Sequence, residues 1–352
     1  MTDPATGIEN EPPFAWQHVG QYLPLRALAA ALQLVDPEQN LRSATMFGKL
    51  YAKLGHHRTR RAFDNIRWAM PDLSEEETAR IATASIEYMF RLFLVDTLAM
   101  PRLVNPWTWQ EFVELDQLDA SVEHLLSDRP MILISGHCGN WELLGYTLAT
   151  LGFPMTALAR PLDNPLIYRW LLGVREARGL RVLTKWGATK QIQELVQGSD
   201  PAGRRVAFIA DQNAGEGGLF VPYFDRMASS YKSIGLLAMR YELPIVVGTA
   251  IRLGERFRYR IKVQDRFGPE DWCDRKDPLF YITARFNHAL ENLVRQTPEQ
   301  YLWIHRRWKS RPKWEHAGKP IPSSVMSRLE SLPWMTQDSL ERIVESTPEG
   351  RS

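Results

Sequence analysis

The chain has 352 residues, 44% of them hydrophobic and 24% charged, with a formal net charge of +2. Such a composition belongs to a folded globular chain long enough to bury a sizeable core, and it excludes a disordered or collagen-like one. The near-neutral charge argues against a nucleic-acid footprint, and the two cysteines, Cys138 and Cys273, lie too far apart for metal-ligand spacing and are too few for a disulfide scaffold.

In chain order, residues 1–13 are acidic and polar, lack the basic and apolar regions of a secretory signal, and read as disordered. Residues 14–105 are mainly helical in pattern. The most apolar run, 23–35, contains Pro24, Arg26 and Gln33 and is too short to span a bilayer. It reads equally as an amphipathic helix lying on a membrane or as a buried helix. Helical spacing recurs over 40–56. At Ser74, with Glu77 three residues on, a capping-box signature starts a helix running through Ile81, Ile86 and Phe93. The twelve tryptophans suit either a membrane interface or the core.

From residue 130 onward the periodicity changes. Apolar strands are predicted at 130–135, 154–159, 181–183, 206–210 and 244–250, with an alternating edge strand at 259–263. Helices are predicted between them at 141–151, 164–178, 189–196 and 233–241, and a long one at 278–296. Strands alternating with helices imply an α/β fold with a mostly parallel central sheet flanked by helices, the helical N-terminal segment packing on that core. The expected division is a single domain over 14–322, with a helical part at 14–105 and an α/β core at 130–312. Beyond it, 323–352 reads as a loosely attached helical tail.

The residues most suggestive of chemistry follow the first strand: Ser135, Gly136, His137, Cys138, Gly139, Asn140, Trp141 and Glu142. In α/β sheets ligands collect at the carboxyl ends of strands. A neutral His137 can take the proton of an attacking hydroxyl, and Glu142, five residues on, is expected to reach one ring nitrogen and stabilise the imidazolium. A turn histidine and a surface acid would be the bland reading of that pair. Cys138 is discounted as a nucleophile, because adjacent side chains diverge in an extended turn. Asp211 closes a buried strand and should have a partner, either an arginine of the site or the loop over 213–218 that it could shape. Arg160 follows a strand and is suited to a phosphate or an oxyanion; its bland alternative is local pairing with Asp163. Arg175 and Arg178 read as a solvated helix face. His305, Arg306, Arg307, Lys309 and Arg311 alternate with tryptophans in a basic patch that fits an anionic lipid headgroup or an acidic carrier protein better than nucleic acid.

The stretch Gly136–Glu142 is similar to the His-x4-Asp/Glu motif of the lysophospholipid acyltransferase superfamily, and its neighbours narrow the resemblance to the lipid A biosynthesis acyltransferases, the late lauroyl and myristoyl transferases. Asn65 to Ser74 resembles that family's N-terminal helix signature. Arg160 to Pro165 resembles its second block, Asp211-Gln212 with Phe220 to Phe224 its third, and Tyr301 to Pro312 its C-terminal hallmark. The blocks run in order over roughly 16–312. The resemblance implies an O-acyltransferase that moves a fatty acyl chain from an acyl thioester to a hydroxyl of a membrane lipid such as a lipid A precursor. It implies catalytic roles for His137, Glu142 and Arg160, and substrate contacts for Asn140, Asp211, Gln212, His305, Arg306 and Arg307. No metal or other cofactor is expected beyond acyl carrier protein or acyl-CoA as donor. Peripheral attachment to the cytoplasmic face of the inner membrane is expected, since the family's usual apolar anchor is replaced by a segment carrying Pro24 and Arg26. Hydrolysis of a lipid ester or thioester, or acylation of a glycerolipid or mannosylated lipid, would use the same His–Glu pair.

Overall fold

The computed structural model describes residues 15–55, 57–116, 125–127, 129–159, 162–184 and 188–346. The segment expected to be disordered, 1–13, falls outside them.

Four helices lead into the sheet: α1 (Trp16–Leu34), α2 (Pro37–Lys53), α3 (His57–Ala69) and α4 (Glu75–Arg91). The start of α2 is set by Asp36, whose side chain accepts from Glu38 N at 2.8 Å, and by Pro37 in the first turn. Ser74 caps α4 by accepting from Glu77 N at 3.1 Å, while the Glu77 carboxylate turns to Arg80. Gly48 lets α2 and α4 cross closely: a Cβ there would meet the Glu87 Cα at 2.7 Å. A π-helical turn, Leu92–Asp96, and α5 (Thr97–Leu103) follow.

The seven-stranded sheet has the order β1-β9-β8-β2-β5-β3-β4. Its strands are β1 (Val113–Asp116), β2 (Met131–Ser135), β3 (Met155–Ala159), β4 (Leu180–Thr184), β5 (Arg205–Ile209), β8 (Ile245–Arg252) and β9 (Tyr259–Phe267). All neighbours are parallel except β8 and β9. The sheet is thus α/β and mostly parallel, as the alternating pattern predicts. The predicted edge strand is the exception, since β9 lies between β8 and β1 and is longer than its alternating stretch. The edge on that side is β1, a four-residue strand with two acids, too short and too polar to give a periodic signal. A separate hairpin, β6 (Leu219–Pro222) and β7 (Met227–Ser230), was not foreseen. Its turn holds Phe224 and Asp225 at φ 53° and 50°. No glycine marks that turn; it is held because the Phe224 ring is buried and its N–H donates to Glu291 Oε2 at 2.7 Å.

The connecting helices are α6 (Trp141–Thr150), α7 (Pro165–Glu176), α8 (Ala188–Gln197), α9 (Lys232–Tyr241) and α10 (Pro278–Gln296). Alternation along β2 divides the interior. Ile132 and Ile134 join the large core with Ile234, Phe286 and Leu290, while Met131 and Leu133 face the opposite side with Leu148 of α6. Leu41 and Ala44 of α2 share a cluster with Leu143, Tyr146 and Tyr259, so the N-terminal helices pack on the sheet. Two helices close the described chain, α11 (Ser323–Glu330) and α12 (Gln337–Glu345). They are not loosely attached: Leu329 and Ile343 are fully buried in the large core. A short amphipathic helix with one or two anchors reads as a polar tail from composition alone.

Candidate active site

Strand register builds the site. Ser135 of β2 pairs with Ile209 of β5. Two residues beyond each strand end stand His137 and Asp211, which the register therefore places side by side. Gly136 makes room for the approach, since a Cβ there would sit 2.8 Å from Asp211 Oδ2. Asp211 accepts the His137 backbone N–H through Oδ2 at 2.6 Å and contacts the ring Nδ1 through Oδ1 at 2.7 Å. The carboxylate is buried. Burial pulls Asp211 toward its neutral form, but the charge of His137 and the hydrogen bonds from it outweigh that and hold the group below the usual carboxylate range. An ionised Asp211 can only accept, so the proton between them belongs on Nδ1, leaving Nε2 with its lone pair. Gln212 Nε2 lies 3.2 Å from that nitrogen and can donate to it.

The turn around His137 is pinned on both sides. Leu302 N donates to His137 O at 3.1 Å, and Gly139 N donates to Gln300 O at 3.0 Å. Gly139 has φ +69°, and a Cβ there would meet Ala250 O at 2.4 Å. Asn140 N donates to the same Ala250 O, and Thr249 Oγ1 donates to Cys138 O. The imidazole is held edge-on between Trp141 and His305, with ring centroids at 4.6 and 4.5 Å. Burial pushes the Cys138 thiol up to about 12, which removes it as a nucleophile at neutral pH.

Glu142 differs from expectation. The contacts of the His137 ring nitrogens are with Asp211 and Gln212, whereas the Glu142 carboxylate takes a two-pronged grip from Arg175 Nε at 2.9 Å and Nη2 at 2.5 Å. The helix begins at Trp141 with Asn140 as its cap, so Glu142 sits in the first turn and its side chain meets α7, while Trp141 meets the imidazole edge-on. Arg175, read as a solvated residue, is instead part of the site wall.

The remaining candidates separate clearly. Asn140 is buried and caps α6, its Oδ1 accepting from Leu143 N at 2.9 Å. Arg160 lies outside the described residues. His305 lies against His137; its Nε2 is buried without a hydrogen-bond partner among the described residues, and burial followed by the neighbouring charge of His137 lowers its pKa to about 4. Arg306 is exposed. Arg307 is fully buried and cannot bind substrate as expected. Its guanidinium donates to Ser229 O at 2.5 Å, Ser230 Oγ at 2.6 Å, Asn287 Oδ1 at 2.8 Å and Gln212 O at 3.3 Å. A planar fork can satisfy several carbonyls at once, so this arginine braces the hairpin and the Gln212 backbone. Asn65 of α3 opens the N-terminal helix signature, and its Nδ2 donates to Trp303 O at 2.6 Å and His305 O at 2.8 Å, tying that signature to the C-terminal hallmark.

A cavity of about 880 Å³ opens beside His137. Trp141, Glu142, Arg175 and Gln212 line it near the strand ends, and Leu125, Met131, Leu148, Met155 and Leu180 line it toward the strand starts. Leu133, Ala207 and Ala157 are register neighbours across β2, β5 and β3, in the middle of the sheet, yet only partly buried. Two alanines in that row leave space that larger residues would fill. Among the described residues no group of three or more His, Cys, Asp or Glu is placed to hold a metal ion, and no helix is long and apolar enough to cross a membrane.

The profile of the family described as bacterial lipid A biosynthesis acyltransferase matches residues 17–310. The chain is 24% identical over 256 residues to the lipid A biosynthesis palmitoleoyltransferase of Escherichia coli (strain K12), covering 70% of this chain and 78% of that protein. It is 25% identical over 296 residues to the lipid A biosynthesis myristoyltransferase of the same organism, covering 83% and 87%. The lauroyltransferase of that organism is 23% identical over 280 residues, covering 76% and 84%. The chain belongs to the bacterial lipid A biosynthesis acyltransferase family.

Proposed function

We propose that the protein transfers a fatty acyl chain from an acyl thioester, carried by acyl carrier protein or coenzyme A, to a hydroxyl of a lipid A precursor at a membrane surface. The observation that carries this reading is the His137 ring, oriented by Asp211 with Nε2 at the lip of a long apolar cavity. The cavity runs along β2, whose rise of about 3.3 Å per residue gives roughly 20 Å between Met131 and His137, a depth suited to an acyl chain.

In this mechanism the acceptor supplies its own hydroxyl. Its oxygen attacks the thioester carbonyl as its proton passes to His137 Nε2, a step for which a placed base is worth about 10²–10⁴ in rate. Gln212 Nε2 leaves the histidine and donates to the developing oxyanion; the resemblance implies a catalytic or substrate-binding role for Arg160, whose guanidinium suits either a phosphate or that oxyanion. The C–S bond then breaks, and the thiolate takes the proton from the imidazolium. Asp211 stays ionised and steadies that cation. Glu142 holds Arg175 at the cavity wall, where a guanidinium can meet a phosphate of donor or acceptor.

The test is the mass of membrane lipids incubated with purified protein and acyl thioester, wild type against His137→Ala. A gain of one acyl chain that vanishes in the variant supports transfer. Release of free fatty acid without an acceptor would instead mark a hydrolase.

A further inference from the structure

Two N-terminal helices turn apolar faces away from the core. On α1, Trp16, Leu23, Ala27, Ala30 and Leu34 lie 7, 11, 14 and 18 residues along from the first, close to whole turns at 3.6 residues each. All five are exposed, Leu34 at 88%. They form one stripe about 27 Å long. On α2 the buried side is Leu41, Ala44, Gly48 and Ala52. The opposite side carries Met46, Phe47, Leu50 and Leu54, exposed by 52–74%. By helical angle Arg42, Lys49 and Lys53 form a row along one border of that apolar strip, and all three are exposed. Buried on one side and apolar on the other, neither helix has the polar outer face of an ordinary surface helix.

The charge around this face is lopsided. Along α2 stand Arg42, Lys49 and Lys53 against a single acid, Glu38, within a molecule of net charge +2. The nearby acids Glu38 and Glu255 are engaged by Arg256 and Arg91, at 3.3 and 2.9 Å. The face also continues toward the site. Phe93, exposed on the π-helical turn packed beside α2, meets the Trp141 ring at 6.2 Å, and Trp141 meets His137 at 4.6 Å.

The geometry points to the outward faces of α1 and α2 as a docking surface for an anionic lipid bilayer, with both helices lying in the plane of the interface and the Phe93–Trp141 edge bringing the site mouth to the lipid. Apolar side chains enter the acyl boundary while the basic row meets anionic headgroups. A second copy of the chain is the poorer occupant, because an isologous contact brings a second basic row and not a complementary acidic one. The direction in which the acceptor enters rests on the proposed function; the docking itself does not.

The full chain is tested by flotation with vesicles of phosphatidylcholine containing 30% phosphatidylglycerol, and with vesicles of phosphatidylcholine alone. Wild type, Leu50→Glu/Leu54→Glu, Leu23→Glu/Leu34→Glu and Arg42→Glu/Lys49→Glu are compared after circular dichroism shows equal folding. Wild type is expected to float with the anionic vesicles and at least tenfold less with the neutral ones. Each variant is expected to lose at least tenfold in binding. Transfer to an acceptor in vesicles should fall in parallel, and transfer to a detergent-dispersed acceptor should not. Wild-type flotation without acyl transfer to any acceptor would leave the docking face standing and remove the proposed function. Wild type that stays in solution, variants that float like wild type, or a lipid-free dimer that the same substitutions dissociate would overturn the docking face.

Discussion

Both oxygens of the Asp211 carboxylate are engaged by His137, Oδ2 by the backbone N–H at 2.6 Å and Oδ1 by the ring Nδ1 at 2.7 Å. Asp211→Asn is therefore expected to damage the base and not merely weaken a contact. The amide oxygen will accept the backbone N–H that Oδ2 now accepts, and its NH₂ will face Nδ1. The imidazole must then carry its proton on Nε2, where it cannot accept one from a hydroxyl. Transfer should slow by about 10²–10⁴ with an unchanged melting profile. Steady-state rates and calorimetry on the two proteins check it; a variant within threefold of wild type would remove Asp211 from this role.

That pairing also marks the limit of what the sequence makes legible. His137 can be singled out because a buried strand, two glycines and a helix start surround it within a few residues. The five parallel strands β2, β3, β4, β5 and β8 and the helices between them are equally local, and they are where the periodicity puts them. The partner of His137 is 74 residues away, and only the β2–β5 register sets it there. Glu142 lies close in sequence, but helix geometry turns its side chain to Arg175. The basic cluster at 305–307 splits for the same reason. Sequence shows three basic residue types in a row, while packing decides that His305 faces the His137 ring, Arg306 faces solvent and Arg307 is buried.

His305 gives the protein a pH signature. Burial and the charge of His137 lower its folded pKa to about 4, against about 6.5 in a free chain. Between those values the unfolded chain binds a proton that the folded one does not, so stability is complete above pH 6.5 and falls as the pH drops toward 4. The loss expected from this residue is on the order of 1–3 kcal/mol. His288 is shifted down by burial as well and contributes in the same direction. Denaturant titrations of wild type and His305→Gln at pH 7.5, 6 and 5 isolate the His305 share, because His288 is common to both. Parallel pH profiles for the two proteins would mean that His305 is protonated in the fold.

Neighbouring arginines should fail in different ways. Arg307 is buried with four acceptors around its guanidinium, and a lysine cannot reach them in the same plane. Arg307→Lys is expected to cost about 3 kcal/mol of stability or more, lowering the melting temperature before any kinetic parameter can be read. Arg306 is exposed, so Arg306→Ala should leave stability within about 0.5 kcal/mol and raise KM for an anionic acceptor with little change in kcat. Thermal melts with acceptor titrations separate the two, and equal melting temperatures would refute the bracing role of Arg307.

The depth of the cavity should be adjustable from one position. Gly145 lies one turn beyond Trp141 on α6 and lines the cavity with Leu148, Met155 and Leu180. A Cβ added there would sit 3.6 Å from Leu180 Cδ2 and 3.8 Å from Met155 Sδ, ordinary contact distances, so a side chain can enter without displacing backbone. Gly145→Leu also removes a glycine from a helix interior, a gain of up to about 1 kcal/mol that offsets any strain. The larger residue occupies space that the distal part of an acyl chain would use. It is expected to shift transfer toward shorter thioesters and to leave the rate with the shortest accepted donor near that of wild type. Leu148→Ala, deeper on the same helix, should shift the preference toward longer chains. Mass spectrometry of the lipid product from an equimolar mixture of thioesters reads both shifts at once. If neither substitution moves the chain-length profile, the acyl chain does not lie along α6.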